Sequence, residues 1–333
     1  MKAIIPLAGK GTRLRPHTHF TPKPLLKVGG RPVMSYILDD LVELGVREFV
    51  FVIGYLGDTI RAYIETDYPQ VEAHYVVQEV QDGTAGAIGL ARQWADEDLI
   101  ILFADTIFDA DLTLVRRLSA DVGGVLWAKE VDDYARFGVM VTGPDGTMQR
   151  IVEKPNEPVS RLANVGLYYV RDRELLFEGI DHTLSVAPGG GEEFFLTDAF
   201  QYMVDHGSKL VVELVDGWYD CGRAETLIAA NRHLLDTGRG GIAEGANVTG
   251  TEVIQPVRIE TGAEVTGGQI GPNVTVGKEA RIVDSVLQNT IVGDATHIER
   301  AELQQSLLGD HTVVTGIRGQ VSIGAHSELT GEP

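Results

Sequence analysis

The first 38 residues contain no acidic residue, although the protein carries 48 Asp and Glu and a formal net charge of −20. The same stretch holds seven Lys and Arg, and Gly9 and Gly11 directly follow an apolar run at 3–7. Glycine lets backbone N–H groups approach phosphate oxygens, and Lys and Arg neutralise their charge. A strand that ends in an acid-free, cationic loop therefore predicts a phosphate-binding site.

The sequence also has little cysteine, no long apolar run and no excess of positive charge, and each of these limits the class of protein. Cys221 is the only cysteine, so no intrachain disulfide can form, as is usual in a reducing cytoplasm. No apolar run approaches the ~20 residues of a membrane span, and the first run is too short for a signal peptide. The acidic balance, with a pI near 4.8, would repel a phosphodiester backbone. We expect a cytoplasmic protein that binds neither membrane nor nucleic acid, whereas a small phosphorylated ligand remains compatible.

Residues 1–237 alternate short apolar runs with stretches that are apolar at every third or fourth position. These patterns predict strands and amphipathic helices respectively. We predict strands at 3–7, 49–53, 74–78, 99–103, 124–129, 138–142, 148–153 and 165–170. We predict helices at 34–44, 58–64, 85–94, 197–206 and 224–235. The early strands are apolar on both faces, as in a buried parallel sheet, so we predict an α/β domain that binds its ligand at the carboxyl ends of the strands.

Residues 238–333 have a different periodicity. Glycine becomes frequent, and branched apolar residues recur at about every sixth position. The predicted inward positions are Ile242, Val248, Ile254, Ile259, Val265, Ile270, Val276, Ile282, Val286, Val292, Ile298, Val313, Ile317, Ile323 and Leu329. Such a period resembles a hexapeptide left-handed β-helix, in which short strands stack as a solenoid. The alternative is an antiparallel β-domain of irregular strands.

The glycine-rich loop does not match two common nucleotide-binding motifs. A dinucleotide-binding fingerprint would need a third glycine where Leu14 stands, and no Gly-Lys-Ser/Thr of a Walker A motif follows. The pattern GxGTRL at 9–14, with Pro-Lys-Pro around Lys23, instead resembles the sugar-1-phosphate nucleotidylyltransferases, also called nucleoside-diphosphate-sugar pyrophosphorylases. The resemblance implies a Rossmann-like domain with a mixed sheet over 1–237. Its length and repeat are most similar to glucose-1-phosphate thymidylyltransferases and uridylyltransferases that carry a β-helix.

The resemblance also assigns the nucleotide site. The implied nucleotide-binding residues are Leu7, Ala8, Gly9, Gly11, Thr12, Arg13, Gln78, Gly83 and Thr84. Arg13 and Lys23 would act catalytically by gripping the triphosphate. Gln78, five residues before Gly83, would contact the base. Because an amide both donates and accepts, Gln78 favours UTP or dTTP over GTP, for which a carboxylate would suit better; it could also be an ordinary polar residue at a strand end.

Two aspartates match the metal ligands of the family. Asp105 ends an apolar strand in the sequence Ala-Asp-Thr, where the family usually has Gly-Asp-Asn, and Asp220 lies in Trp-Tyr-Asp-Cys-Gly. The resemblance implies that both bind Mg²⁺. Asp220 alone would more often be a turn residue.

The remaining matches concern the sugar phosphate. The implied sugar-phosphate residues are Gly138, Glu153, Lys154, Asn164, Gly166 and Glu193. Lys154 would contact the phosphate and act in catalysis, and Glu153 would contact a sugar hydroxyl. Thr197 belongs either to this site or to the cap of the helix that follows.

The implied reaction transfers a nucleoside monophosphate from dTTP or UTP to a sugar 1-phosphate, by default glucose 1-phosphate, and releases pyrophosphate. The alternatives are a catalytically silent assembly subunit, a GTP-using mannose-1-phosphate guanylyltransferase, and a second, acyltransferase activity in the β-helix. We also expect a homo-oligomer.

Overall fold

The computed structural model describes residues 1–186 and 193–331. Its first thirteen strands are β1 (Lys2–Pro6), β2 (Lys27–Val28), β3 (Arg31–Pro32), β4 (Glu48–Ile53), β5 (Glu72–Val77), β6 (Leu99–Leu102), β7 (Thr106–Asp109), β8 (Gly124–Glu130), β9 (Gly138–Thr142), β10 (Met148–Glu153), β11 (Leu162–Val170), β12 (Leu210–Leu214) and β13 (Gly217–Asp220). The α-helices are α1 (Val33–Leu44), α2 (Gly57–Asp67), α3 (Thr84–Gly89), α4 (Arg173–Ser185), α5 (Leu196–Asp205) and α6 (Ala224–Leu234). None of the helices in these described ranges is long and apolar enough to cross a membrane.

A nine-stranded mixed sheet organises the first part of the chain. Its order is β10-β9-β11-β6-β1-β4-β5, and β8 and β12 extend it from β11. Strands β6, β1, β4 and β5 are parallel, with Ile4 opposite both Val50 and Ile101. Strand β11 runs antiparallel to β6. The predicted Rossmann-like α/β class is confirmed, because the apolar runs are indeed central parallel strands.

One face of this sheet is covered by α3, α4 and α5, which pack on each other and on the strands. The predicted helix at 85–94 is broken: α3 ends at Gly89, and only a 3₁₀ turn at Arg92–Trp94 follows. A β-carbon at Gly89 would lie 3.2 Å from Ile180 Cγ2 of α4, so tight helix packing accompanies this end. Helix α4 and strand β12 were not predicted.

The chain divides into two compact units, and each unit is built from two separate segments of the sequence. One comprises Met1–Gly9 and Ile37–Trp218, which we call the sheet unit. The other comprises Lys10–Tyr36 and Tyr219–Pro333, which we call the C-terminal unit. The cationic loop therefore belongs to the same unit as α6 and the repeats. The domain boundary expected between residues 237 and 238, where the repeats begin, stays a prediction.

The repeats fold into a solenoid of short parallel strands. These are β14 (Gly241–Ile242), β15 (Asn247–Thr249), β16 (Glu252–Val253), β17 (Val257–Ile259), β18 (Glu264–Thr266), β19 (Gln269–Ile270), β20 (Val274–Val276), β21 (Arg281–Val283), β22 (Val286–Gln288), β23 (Ile291–Val292), β24 (His297–Glu299), β25 (Glu302–Gln304), β26 (Leu307–Leu308), β27 (Val313–Thr315), β28 (Arg318–Gly319), β29 (Ser322–Ile323) and β30 (Glu328–Thr330). Every third strand belongs to the same sheet, which gives three faces around an apolar core. This architecture confirms the β-helix and contradicts the antiparallel alternative.

The repeat is shorter than the predicted six residues. An early coil spans 17 residues, since Gly241 pairs with Arg258, whereas a late coil spans 15, since Leu307 pairs with Ser322. Three hexapeptides would need about 18 residues. The coils are shorter because some turns between their strands contain one residue fewer. Inward positions therefore recur after either five or six residues.

This variation makes three predicted inward positions wrong. Val286 is 38% exposed, and the neighbouring Leu287 is fully buried in its place. Val314, rather than Val313, is likewise the buried residue of its strand. Val253, rather than Ile254, pairs with the buried Ile270 and packs against the core. Ile242 keeps its register, since it pairs with the buried Ile259, and it is exposed because β14 is the end strand of its sheet. Because a one-residue shift reverses the face of every side chain in a strand, a small change in spacing moves the core position.

Candidate active site

The cationic loop in the C-terminal unit is shaped by Gly11. Gly11 has φ +60°, and a β-carbon there would lie 3.0 Å from Thr18 Cγ2 and 3.2 Å from Lys23 Cβ. The Thr18 hydroxyl donates to the Gly11 carbonyl at 2.9 Å. Only glycine fits this left-handed, crowded position without strain. The turn brings the backbone before Thr12 against the segment that carries Lys23.

The arginines of this loop are available for an anion. Thr12 begins a 3₁₀ turn that buries Leu14 and leaves Arg13 exposed. Neither Arg13 nor Arg15 forms an ion pair with any residue in 1–186 or 193–331. An exposed guanidinium without a carboxylate partner can bind phosphate without first breaking an ion pair.

In the sheet unit, Gln78, the residue predicted to contact the base, directly follows the carboxyl end of β5. Its side chain is 8% exposed, and Nε2 donates to Asp82 Oδ1 at 3.0 Å and to the Gly83 carbonyl at 3.1 Å. Both partners are acceptors, so the amide nitrogen must face them. The amide oxygen is therefore the group turned away from the loop.

At Gly83, the loop that follows β5 packs against the backbone of Phe194, a residue more than 100 positions further along the chain. Gly83 has φ +115°, and a β-carbon would lie 2.6 Å from the amide nitrogen of Phe194. The Phe194 N–H donates to the Asp82 carbonyl at 2.7 Å, and its carbonyl accepts from the Ala85 N–H at 3.0 Å. The Thr84 hydroxyl oxygen accepts from the backbone of residue 196 at 2.9 Å. Sequence reasoning missed this link, because backbone pairing leaves no side-chain signal.

The residues after β1 continue its pairing. The Leu7 N–H donates to the Val52 carbonyl at 2.7 Å, and the Ala8 carbonyl accepts from Gln81 Nε2 at 2.8 Å. A β-carbon at Gly54 would lie 2.9 Å from the Ala8 carbonyl oxygen, so glycine permits the close approach. Gly9 is exposed, with no atom within 4 Å of its β-carbon position. Ala8 thus contacts the Gln78 loop through Gln81, a residue that was not predicted from the sequence.

Glu153 is held at the end of β10. The Thr197 hydroxyl donates to Glu153 Oε2 at 3.4 Å, so it contacts the predicted sugar residue; it does not cap its helix, whose N-cap is Phe195. A β-carbon at Gly138 would lie 2.7 Å from the same oxygen. Burial raises the pKa of Glu153, Lys154 and Thr197 oppose this shift, and Asp198 and Glu193 add to it.

Lys154 follows with an unusual backbone conformation, φ +42°. Its N–H donates to the Phe137 carbonyl at 3.0 Å, and its Nζ lies 5.0 Å from the ring centroid of Phe195 and 4.0 Å from Glu153 Oε1. A non-glycine residue in this region costs free energy, and such positions cluster at functional sites. The ammonium group remains half-exposed beside an acidic partner.

A bulge in β11 joins the sugar residues to Asp105. Gly166 has φ +81°; its N–H donates to Asn164 Oδ1 at 3.1 Å and its carbonyl accepts from Phe103 at 2.9 Å. Asn164 Nδ2 also donates to the Tyr168 hydroxyl at 2.6 Å. Burial raises the pKa of Tyr168, and the charges of Glu153 and Asp105 add to the shift. These two carboxylates therefore lie in one neighbourhood around Tyr168.

The two predicted metal ligands lie in different units. Asp105 is partly buried between β6 and β7, where the Thr106 hydroxyl donates to its Oδ1 at 3.3 Å. Asp220 ends β13, and a β-carbon at Gly222 would lie 2.7 Å from Asp220 Oδ1. Both present carboxylate oxygens, the donors that Mg²⁺ prefers. Their joint binding of one ion stays a prediction.

Another cluster, formed by Glu48, Glu72 and His74, could also bind a cation by geometry alone. It involves the amino-terminal residues of β4 and β5, away from their carboxyl ends. The ammonium group of Lys2 lies 2.8 Å from Glu48 Oε1, so this cluster already contains its cation.

Several known proteins are similar to this chain in sequence. A uridylyltransferase from Haloferax volcanii, described as UTP–glucose-1-phosphate uridylyltransferase, is 32% identical and covers 71% of this chain and 97% of its own. A glucose-1-phosphate thymidylyltransferase from Streptomyces antibioticus is 28% identical and covers 88% and 87%. The bifunctional protein GlmU of Methanococcus maripaludis is 32% identical over 77% of this chain, but the match spans only 60% of that longer protein.

Among solved structures, a UDP-glucose pyrophosphorylase complexed with UDP-glucose shares the fold, with a TM-score of 0.61 and 23% identity over 71% of this chain and 98% of that one. The model of the family described as "Nucleotidyl transferase" matches residues 2–237, which include the loop, the sheet and both aspartates. The chain belongs to the nucleotidyl transferase family.

Proposed function

We propose that this protein transfers a nucleoside monophosphate from UTP or dTTP to a sugar 1-phosphate, by default glucose 1-phosphate, and releases pyrophosphate. The activities of the uridylyl- and thymidylyltransferase relatives support the reaction and the sugar. The orientation of Gln78 carries the choice of base.

Uracil and thymine present a single N–H, at N3, between two carbonyl oxygens. Both hydrogens of the Gln78 amide are directed to Asp82 and Gly83, so the side chain offers a base only its oxygen. One acceptor complements one N–H donor, whereas guanine presents two neighbouring donor groups and would leave one unsatisfied. The Gln78 amide would therefore act towards a base only as an acceptor, whereas the sequence alone allows it to donate and accept.

The chemistry joins two anions. A phosphate oxygen of the sugar 1-phosphate attacks the α-phosphorus, the bond to the bridging oxygen breaks, and pyrophosphate leaves with the electron pair. The barrier is therefore electrostatic and orientational, and no side-chain nucleophile is required. Arg13 and Lys23 would stabilise the departing pyrophosphate, and Lys154 would orient the sugar phosphate. Asp105 and Asp220 would hold Mg²⁺, which neutralises phosphate charge when bound.

Glu153 would accept a hydrogen bond from a sugar hydroxyl. Its carboxylate is confined by Gly138 and Thr197, so it has little freedom to rearrange. Asn164, Gly166 and Glu193 complete the proposed sugar surface. A preorganised acceptor discriminates against sugars that lack the hydroxyl, since a partly buried carboxylate would then lose one hydrogen-bond partner.

The test is a matrix of ATP, CTP, GTP, UTP and dTTP against the 1-phosphates of glucose, mannose, galactose and N-acetylglucosamine. Pyrophosphate release with Mg²⁺ is measured for each pair. We expect at least a tenfold preference for UTP or dTTP. A clear preference for GTP would overturn the Gln78 argument and favour the guanylyltransferase alternative. Release with no pair at all would favour the silent assembly subunit.

Two variants test the assigned roles. Asp105→Asn removes a negative charge at nearly constant size, and we expect it to abolish most turnover while the circular dichroism spectrum is unchanged. Asp109→Asn, an exposed residue on β7, is the matched control and should keep wild-type activity. Near wild-type turnover of Asp105→Asn would make the metal assignment wrong.

A cytoplasmic location and a homo-oligomeric assembly also remain proposals. The first is supported by the single, buried thiol of Cys221. Analytical ultracentrifugation would test the second.

A further inference from the structure

The loop that carries Arg13 and Lys23 has little secondary structure of its own. It contains three single-turn 3₁₀ segments and the two-residue strands β2 and β3. It nevertheless groups with the β-helix and α6 in the C-terminal unit. The contacts that hold it in place therefore lie more than 200 residues further along the chain.

The first attachment is to the last coil of the β-helix. His17 Nε2 lies 3.0 Å from Ser322 Oγ, and His17 is 6% exposed. A β-carbon at Gly324 would lie 3.1 Å from the Pro16 carbonyl oxygen, so the coil packs directly on the loop backbone. The ring of Phe20 makes an edge contact with His326, with centroids 6.4 Å apart.

The second attachment is an ion pair between Lys27 and Asp294. Asp294 is itself held by the neighbouring coils. Its N–H donates to Asp310 Oδ1 at 2.7 Å, and its Oδ1 accepts from the Lys278 N–H at 3.0 Å. Because these bonds fix the carboxylate before it meets Lys27, the pair loses less conformational freedom than an isolated surface pair.

The third attachment passes through Asn231 of α6, which is fully buried. Its Oδ1 accepts from the Gly29 N–H at 2.8 Å and from the Thr275 hydroxyl of the β-helix at 2.6 Å. Its Nδ2 donates to the Asn273 carbonyl at 3.4 Å. One amide thus connects the loop to β20, and removing it would leave buried polar groups unsatisfied.

We propose that Asp294, Ser322 and Asn231 are positioning residues for nucleotidyl transfer, and that the β-helix is the support that sets the loop in place. This inference rests on the proposed role of Arg13 and Lys23 in triphosphate binding. Arg13 has no ion pair within the described ranges, so its position follows the loop backbone. A displacement of about 1 Å at a positioning group can cost roughly 100-fold in rate.

The test uses the full-length protein with Asp294→Asn and the swapped pair Lys27→Asp/Asp294→Lys. Asp284→Asn is the control, because it makes the same charge change after β21, on a different face of the β-helix. Two properties are measured: trypsin cleavage after Lys10 and Arg13, and kcat and KM for both substrates.

We expect Asp294→Asn to raise cleavage of the loop about tenfold and to lower kcat/KM for the nucleotide 10- to 100-fold. KM for the sugar 1-phosphate should change less than twofold. The swapped pair should restore both properties at least tenfold towards wild type, which a merely misfolded protein would not do. Ser322→Ala, a milder change, should shift both in the same direction.

Wild-type cleavage and wild-type kcat/KM in Asp294→Asn and Ser322→Ala would overturn the inference. So would a loss of activity that the swapped pair does not restore while its loop cleavage is normal. A wild-type protein that releases no pyrophosphate would refute the proposed function instead, and the cleavage experiment would still decide whether the β-helix holds the loop.

Discussion

Acidification should destabilise the C-terminal unit through His17. Burial lowers the pKa of His17 to about 4 from 6.5, and its partner, Ser322, is uncharged. Lys27, Asp294 and Asp310 line the same cavity as His17, but burial is the cause of the shift. The folded protein therefore keeps this imidazole neutral at pH values where the unfolded chain would protonate it.

The sign and size follow from linkage. The folded-state pKa lies below the unfolded one, so the unfolded chain binds more protons and stability falls as the pH falls below 6.5. The loss is complete below a pH of about 4. With these two pKa values, His17 should cost about 2 kcal/mol at pH 5 and about 3 kcal/mol below pH 4, relative to neutral pH.

The assay compares wild type with His17→Gln, which can still hydrogen-bond Ser322 but does not titrate. Pulse proteolysis with thermolysin across a urea series, at pH 7.5 and pH 5, gives the free energy of unfolding from fragments of the C-terminal unit identified by mass spectrometry. Wild type should lose about 2 kcal/mol more than the variant between the two pH values. His182→Gln, an exposed residue of α4, should behave as wild type. Equal losses in wild type and His17→Gln would refute the reasoning.

Three other outcomes are expected. Leu287→Ala should lower the unfolding free energy by about 2–5 kcal/mol, whereas Val286→Ala should cost under about 1 kcal/mol; the reverse order in urea titrations would contradict the observed register of β22. Gly83→Ala forces a side chain into positive φ against backbone, so it should cost about 1–3 kcal/mol and raise KM for the nucleotide, and a wild-type KM would count against the role of this loop. Thr197→Val removes a hydrogen bond that lowers the pKa of Glu153; the acidic limb of kcat/KM should therefore move to higher pH with little change at pH 8, and an unmoved limb would disconnect Glu153 from activity.

Much of the sheet could be predicted from the chain alone. Runs such as 49–53 are apolar at every position, and only a strand buried on both faces satisfies that pattern. All eight predicted strands of the first part occur in the structure, with ends that differ by a few residues. Helix α4 and strand β12 were missed, because their periodicity is weak and packing against α5 and β8 supplies their stability.

In the β-helix the sequence indicates the repeat but not its register. Glycine and branched apolar residues mark successive faces, yet a corner can contain one residue more or fewer without changing composition. Whether Val286 or Leu287 points inward is decided by stacking on the neighbouring coils, where Leu287 pairs with Leu303. That is a property of the assembled coils.

For the candidate site, too, the sequence indicates one part and the tertiary structure supplies the other. The chemistry of the loop follows from sequence, because glycines, Arg13 and Lys23 are close along the chain and the first 38 residues contain no acidic residue. Only the tertiary structure shows that the Gln78 amide nitrogen donates to Asp82 and Gly83, that the Phe194 backbone pairs on both sides of Gly83, and that the β-helix contacts the cationic loop. Each of these depends on groups brought together from distant positions, often through backbone atoms that every residue shares. Local residue types therefore determine what a segment can bind, whereas the packing of distant segments determines which of its atoms are presented.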